Sequence, residues 1–217
     1  MFRFLRQPVT AESFTVEERL AQVGRRALAR LEPRFVAAGL DLPLEQLALA
    51  AFKDRRVLEL YGRRRAEPWR FLLHYPIRGA SGTPGPKLRE GDRQVPEGLY
   101  RVERLNPNSR FHLALRLDYP NALDRAMGAR EGRYALGGDI MIHGGDQTIG
   151  CLAMGDEAAE DLFTLAAMTG IENIRVVLSP VDFRETVHFD APASLPDWTH
   201  SLYAQLRAEL KHYPRGL

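Results

Sequence analysis

The sequence contains a single cysteine, Cys151, among its 217 residues. One cysteine cannot form a disulfide within the chain, and it cannot supply a zinc site built from several thiolates. Its presence is compatible with either an oxidising or a reducing compartment, so cysteine usage leaves the localisation open. A chain of this length can bury a core that needs neither a disulfide nor a metal, so stability alone does not explain Cys151.

The chain also lacks an excess of charge of either sign. Its 30 lysines and arginines against 28 aspartates and glutamates give a net charge of +2. This balance argues against nucleic acid as a partner. Short arginine runs occur at residues 25–26, 55–56 and 63–65, and we interpret them as solvated faces.

Long apolar runs are missing as well. No stretch approaches the roughly 18 residues of a membrane helix, so we predict no transmembrane segment. The start of the chain, MFRFLRQPVTAESF, is interrupted by Arg3, Arg6 and Gln7, so it lacks the apolar core of a secretory signal. Either the protein is cytosolic, or Met1 is not the native start and a leader has been removed.

Apolar periodicity predicts an α+β protein in which helices flank a mostly β region. Spacings of three and four predict a helix from its cap at Thr15 to Phe35, ended by Pro33. A second helix is predicted behind an Asp156 cap, and a third near the end of the chain. Alternating or short apolar segments predict strands at residues 47–62, 69–76, 99–105, 110–117, 139–143 and 174–180, with the turn NPNS at 106–109.

The stretch IMIHGGDQTIGCLAM, residues 140–154, contains the candidate chemistry. A cysteine becomes a nucleophile when a base favours its thiolate, and His143 is the nearest base in sequence. Glycines 144, 145 and 150 allow sharp turns that would bring Cys151 beside the imidazole, and Gly150 would leave backbone N–H groups near the thiol free for an oxyanion. The spacing alone leaves a second interpretation open, in which Cys151 is a small buried residue and His143 bonds locally.

Several motifs in order resemble one known family. His143-Gly144 followed by Thr148-Ile149-Gly150-Cys151 is similar to the active-site signature of the L,D-transpeptidase catalytic domain (YkuD-type) family. The flanking segments GPKLREGDRQVPEGLYRV, NPNSRFHLALRLDYPNALD and GGDIMIHG agree with one branch of it. The resemblance covers roughly residues 47–180.

This resemblance implies an α+β fold with a β-sandwich-like catalytic domain at 45–190, a helical extension at 1–44 and a packed C-terminal helix at 191–217. It implies that Cys151 is the nucleophile, His143 the general base and later acid, and the Gly144 carbonyl the group that orients the imidazole. The thiolate would attack a peptidoglycan stem peptide and form a thioester, which an amine resolves into a cross-link. The expected location is therefore the periplasm or cell envelope.

Two positions depart from the family pattern. Many relatives carry a histidine where this chain has Ile149 and an arginine where it has Ala153. Hydrolysis of stem-peptide or protein-to-peptidoglycan links at the same site is therefore an alternative to transpeptidation. A catalytically silent peptidoglycan-binding module is the other alternative.

Other residues are candidates for substrate or oxyanion contacts. Gly150, Thr148 and Ile149 belong to the cysteine loop, and Lys87 and Arg93 lie in a long glycine- and proline-rich loop at residues 79–98, where they could bind stem-peptide carboxylates. His112 could line the site beside His143 or could be a packed residue. The remaining histidines are too scattered to suggest a metal site, and we expect no cofactor. The oligomeric state is left open.

Overall fold

The computed structural model describes residues 13–216, so the start of the chain, on which the leader expectation depends, lies outside the described residues. The predicted α+β class is confirmed. None of the helices in this part of the chain is long and apolar enough to cross a membrane. The helices are α1 (Val16–Ala38), α2 (Ala122–Arg130), α3 (Asp156–Thr169) and α4 (Thr199–Leu210), and the strands are β1 (Gln46–Phe52), β2 (Val57–Arg63), β3 (Arg70–Pro76), β4 (Gly98–Ser109), β5 (His112–Leu117), β6 (Met141–His143), β7 (Leu152–Ala153) and β8 (Ile174–Ser179).

The strands form one curled sheet in the order β3-β2-β1-β8-β4-β5-β6-β7. Two neighbouring pairs, β1 with β8 and β6 with β7, are parallel, and the other pairs are antiparallel. Strand β4 is long enough to pair with β8 at its start and with β5 further along, so it joins the two halves of the sheet. The curl lets both halves contribute to one apolar core.

Strand β1 shows why the sheet needs helices on both faces. Its side chains alternate between the faces, as the pleat requires. Leu47 and Leu49 enter the core shared with α1 and α3, whereas Ala48 and Phe52 enter a second cluster under α4. The apolar run therefore marks a strand buried on both sides.

Pro33 does not end α1, so the predicted boundary was wrong. The helix continues for another turn because Phe35 is buried in the core. It ends at Gly39, which adopts a left-handed conformation and donates its backbone N–H to the carbonyls of Phe35 and Val36. A proline removes one helical N–H, and here tertiary packing outweighs that loss.

Two further local predictions were wrong. Strand β4 runs through NPNS to Ser109, because an irregular register accommodates Pro107, and the reversal lies at Arg110 and Phe111. The cap of α3 is Gly155 and not Asp156, whose carboxylate instead accepts the backbone N–H of Gly145.

Candidate active site

Strands β6 and β7, which are neighbours in the sheet, hold the two ends of the loop that contains His143 and Cys151. His143 is the last residue of β6, and Cys151 directly precedes β7. Because the two strands pair in parallel, with Ile142 opposite Leu152, the loop between them must fold back on itself. The Met141 backbone N–H lies 3.3 Å from the Cys151 Sγ as a result.

Backbone hydrogen bonds hold this loop at both ends. Gly145 donates its N–H to the Asp156 carboxylate over 2.8 Å, and Gly155 donates to the Gly145 carbonyl over 2.8 Å. Gly150 donates to the Ser81 Oγ over 2.8 Å. Gly145 and Gly150 have φ values of 67° and 83°, a conformation that glycine adopts without strain.

Backbone N–H groups near the thiol were expected to be free for an oxyanion. The Gly150 N–H is not one of them, because it is donated to the Ser81 hydroxyl. The Cys151 N–H makes no hydrogen bond within residues 13–216. That amide, one residue further on, is therefore the backbone donor that remains open beside the thiol.

The environment of His143 fixes its tautomer. The residue is 2% exposed, and its Nδ1 lies 2.6 Å from the Gly144 carbonyl. A carbonyl can only accept, so Nδ1 carries the proton and Nε2 presents a lone pair. The Phe111 ring stacks on the imidazole with 4.7 Å between centroids. Burial lowers the pKa of His143, against the opposing effect of the Gly144 carbonyl, so the ring is a neutral base.

The Cys151 thiol is partly buried. It lies 3.4 Å from the Asp139 carbonyl, to which it donates. Burial is the largest effect on the pKa of Cys151 and raises it, whereas hydrogen bonds from Met141 and Thr148 lower it. Burial thus disfavours the charged forms of both residues, the thiolate of Cys151 and the imidazolium of His143.

Thr148 lies beside the imidazole, in the cysteine loop. Its Oγ1 is 3.1 Å from the His143 Nε2, the ring nitrogen that does not face the Gly144 carbonyl. Ile149, the next residue, is 71% exposed, so its apolar side chain faces solvent.

The other predicted residues differ in how close they come to this pair. Arg93 is exposed, and its carbonyl accepts a hydrogen bond from the Ser81 hydroxyl. Because Ser81 also accepts the N–H of Gly150, Arg93 is linked to the cysteine loop through Ser81. The Lys87 ammonium is buried and lies 2.5 Å from Asp92, so it is already paired. The His112 ring faces Glu160, 3.2 Å away, in a network with arginines of α1.

Sequence reasoning missed three residues of the site. Ser81 joins the long loop to the cysteine loop, Phe111 stacks on the imidazole, and the Asp139 carbonyl accepts a hydrogen bond from the thiol. Asp139 has a left-handed backbone with φ of 52°, unusual for a residue other than glycine. The contacts of Ser81 and Phe111 join segments that are distant along the chain, so nothing in the sequence marks them, and the contact of Asp139 depends on its backbone conformation.

A groove with a volume of about 890 Å³ lies away from these residues. It is lined by residues of α1, of the segment 40–42 and of α3, and it includes neither Cys151 nor His143. Among the described residues, no group of three His, Cys, Asp or Glu side chains is placed to hold a metal ion.

Comparison with known proteins agrees with this geometry. The family model of the L,D-transpeptidase catalytic domain, YkuD, matches residues 53–178, more than half of the chain. The chain belongs to the L,D-transpeptidase catalytic-domain family. The resemblance drawn from the motifs is thereby confirmed.

Two curated relatives of this L,D-transpeptidase-family chain come from Escherichia coli, strains K12 and O157:H7. Both are named "Putative L,D-transpeptidase YafK", and each is 41% identical over 140 residues, which is 62% of this chain and 53% of the relative. The chain thus spans about half the length of the curated relatives it matches. Among solved structures, the helical cell shape determining protein Pgp2 from Campylobacter jejuni is similar, with a TM-score of 0.50 and 17% sequence identity. The match covers 78% of this chain and 70% of that chain, and it is a similarity of fold alone.

Ala153, one of the two departures from the family pattern, lies in a closely packed part of the sheet. It is fully buried, and its backbone pairs with Gly79 through hydrogen bonds in both directions. A Cβ added to Gly79 would lie 3.3 Å from the Ala153 Cβ, so the two backbones are in close contact.

Proposed function

We propose that this protein is a cell-envelope enzyme that acylates Cys151 with a peptidoglycan stem peptide and transfers the acyl group to an amine. The observation that supports the proposal is the hydrogen bond between the His143 Nδ1 and the Gly144 carbonyl, at the start of a loop that joins His143 to Cys151 between the paired strands β6 and β7. Membership of the L,D-transpeptidase family supplies the substrate class. Because peptidoglycan lies outside the inner membrane, the proposed location is the periplasm.

In the first half-reaction the thiol proton passes to His143, and the sulfur attacks the carbonyl of the L-centre that precedes a D-residue. The Cys151 N–H stabilises the negative charge on the carbonyl oxygen. The protonated His143 then gives its proton to the leaving amine, so the D-residue departs and a thioester remains.

In the second half-reaction an acceptor amine loses its proton to His143 and attacks the thioester. The new amide bond forms as the carbon–sulfur bond breaks, and the thiolate recovers the proton from the imidazolium. If water replaces the amine, the same steps release a shortened stem. Hydrolysis is the second candidate function because of Ile149. Its side chain is exposed and apolar, so it offers no hydrogen bond to an acceptor amine at a position where many relatives have a histidine.

The test is incubation of the purified protein with bacterial peptidoglycan, followed by mass spectrometry of the muropeptides. Cys151→Ala is the matched control. We expect cross-links between stems that depend on Cys151. Shortened or released stems that depend on Cys151 would show that the protein is a hydrolase and not a transferase. Identical muropeptide profiles from both proteins would refute catalysis and favour a binding module.

A further inference from the structure

We infer that Phe111 stabilises the imidazolium form of His143 through the face of its aromatic ring. The inference rests on the proposed function, in which His143 takes a proton from the thiol and later gives it to the leaving amine. The face of an aromatic ring carries partial negative charge, so a cation held against it is stabilised. A more stable imidazolium makes His143 a stronger base. Phe111 is thus a positioning residue that acts through His143.

The phenyl ring and the imidazole are stacked. Their centroids are 4.7 Å apart and their planes are inclined by 29°, so the two rings meet face to face and not edge to face. This separation lies within the roughly 6 Å over which a cation is attracted to an aromatic face. His143 is 2% exposed, and the attraction is larger where water is excluded.

The other groups in contact with the imidazole are neutral. The Gly144 carbonyl lies 2.6 Å from Nδ1, and the Thr148 Oγ1 lies 3.1 Å from Nε2. Burial lowers the pKa of His143 against the effect of this carbonyl, and no charged side chain of residues 13–216 contributes to the shift. An imidazolium at this position therefore has no carboxylate partner, which leaves the aromatic face as a source of stabilisation.

The ionisable groups of the surrounding segments have other partners or face solvent. The Asp156 carboxylate of α3 accepts the N–H of Gly145 over 2.8 Å. The Cys151 thiol donates to the Asp139 carbonyl. Two further charged residues in the turn before β5 and in the cysteine loop are exposed, namely Arg110 and Asp146.

The turn that contains Phe111 is held on both sides. The Phe111 N–H donates to the Ser109 Oγ over 3.1 Å. His112 has a left-handed backbone with φ of 69°, and its ring lies 3.2 Å from Glu160 of α3. Glu160 is itself paired with two arginines of α1, Arg26 and Arg30. His112 thus anchors the turn to α3, and the phenyl ring is in place before any substrate binds.

The experiment is an NMR titration of the histidine Cε1–H signals in the purified protein, which has six histidines. His143→Gln identifies the signal of His143. The variants are Phe111→Leu, which keeps an apolar side chain and removes the aromatic face, and Phe111→Tyr, which keeps the face. Phe111 is 42% exposed, so its replacement leaves the buried core intact. Tyr134→Leu, the same kind of change at an 81% exposed position, is the matched control.

We expect Phe111→Leu to lower the pKa of His143 by about one pH unit, a roughly tenfold smaller share of imidazolium above the pKa. Phe111→Tyr and Tyr134→Leu should keep the original pKa. If the ring only shielded His143 from water, Phe111→Leu would admit water and raise the pKa, because solvation favours the charged form. A raised or unchanged pKa in Phe111→Leu would therefore overturn the inference, and so would a tyrosine variant that behaves like leucine.

The same titration in a Cys151→Ala background removes the coupling between the imidazole and the thiol. The decrease caused by Phe111→Leu should persist there, because the phenyl ring acts on His143 directly. Its disappearance would show that the effect comes from the thiol and would overturn the inference.

Because no peptidoglycan is present, the titration separates the role of Phe111 from the proposed function. If the muropeptide experiment failed and the titration depended on the ring, Phe111 would keep its role and the substrate would change. If peptidoglycan were turned over and the titration did not depend on the ring, the proposed function would stand without this role of Phe111.

Discussion

Gly144 has no room for a side chain. A Cβ built on it would lie 2.6 Å from the Asp156 carboxylate and 2.7 Å from the Phe111 carbonyl. These atoms belong to the start of α3 and to the turn before β5, so moving either one would disturb an ordered element. The residue that supplies the carbonyl for the His143 Nδ1 is therefore held by its surroundings.

We expect Gly144→Ala to destabilise the fold by about 1–3 kcal/mol, the usual cost of inserting a methyl group into a packed region. Loss of Cys151-dependent activity should accompany it, because the Gly144 carbonyl must shift away from the ring. Gly138→Ala is the matched control, since a Cβ there meets nothing within 4 Å. Urea unfolding measures both variants, and equal free energies of unfolding for the two would contradict the steric argument.

At the scale of elements, α2 contains a buried carboxylate. Asp124 accepts the backbone N–H of Asn121 over 2.9 Å as part of a capping box. Burial, the largest effect, raises its pKa to about 6 against the opposing hydrogen bonds from Asn121 and Tyr100. The folded state thus holds the proton more tightly than the unfolded state does, where the pKa is 3.8.

The sign of the pH dependence follows from this difference. The contribution of the Asp124 proton to stability is complete below pH 3.8 and is lost as the pH rises through about 6. We expect Asp124→Asn, which stays uncharged and keeps an acceptor oxygen, to gain on the order of 2 kcal/mol relative to the original protein between pH 4 and pH 7. Thermal unfolding across this range measures it, with the exposed Asp197→Asn as control, and parallel curves for the two variants would argue against a buried acid.

The same helix shows what could and could not be predicted from the sequence. Most strands were predictable because their apolar residues alternate or run together, as in β1 and β8. Helix α2 was not predicted, because its buried residues are Asp124 and Gly128 and it has no apolar stripe. Its capping box, Asn121 with Asp124, was the one available signal.

The candidate active site was also only partly predictable from the sequence. Proximity of His143 and Cys151 could be expected from the glycines between them, since these residues lie in one continuous segment. The contacts of Ser81 and Phe111 could not, because they depend on how distant segments meet. The placement of Thr148 at the His143 Nε2 depends on the detailed path of the loop, which residue types alone do not determine.

At the scale of the whole molecule, α1 is part of the main core. Leu31 is 1% exposed and packs in the same cluster as residues of β1, β5 and α3. Arg30 reinforces this contact through ion pairs of 3.0 Å to Glu160 and 2.7 Å to Asp161 on α3. The N-terminal helix therefore packs on the helix that follows the cysteine loop.

We expect Leu31→Ala to lower the free energy of unfolding by about 2–5 kcal/mol, the range for removing a buried leucine side chain. Val36→Ala, in the same helix but 73% exposed, should change it by less than about 0.5 kcal/mol. Because α1 shares its core with the sheet, Leu31→Ala should shift one cooperative transition, measured by both circular dichroism and tryptophan fluorescence. A separate early transition confined to the helical signal would instead show that α1 unfolds independently of the strands that position Cys151.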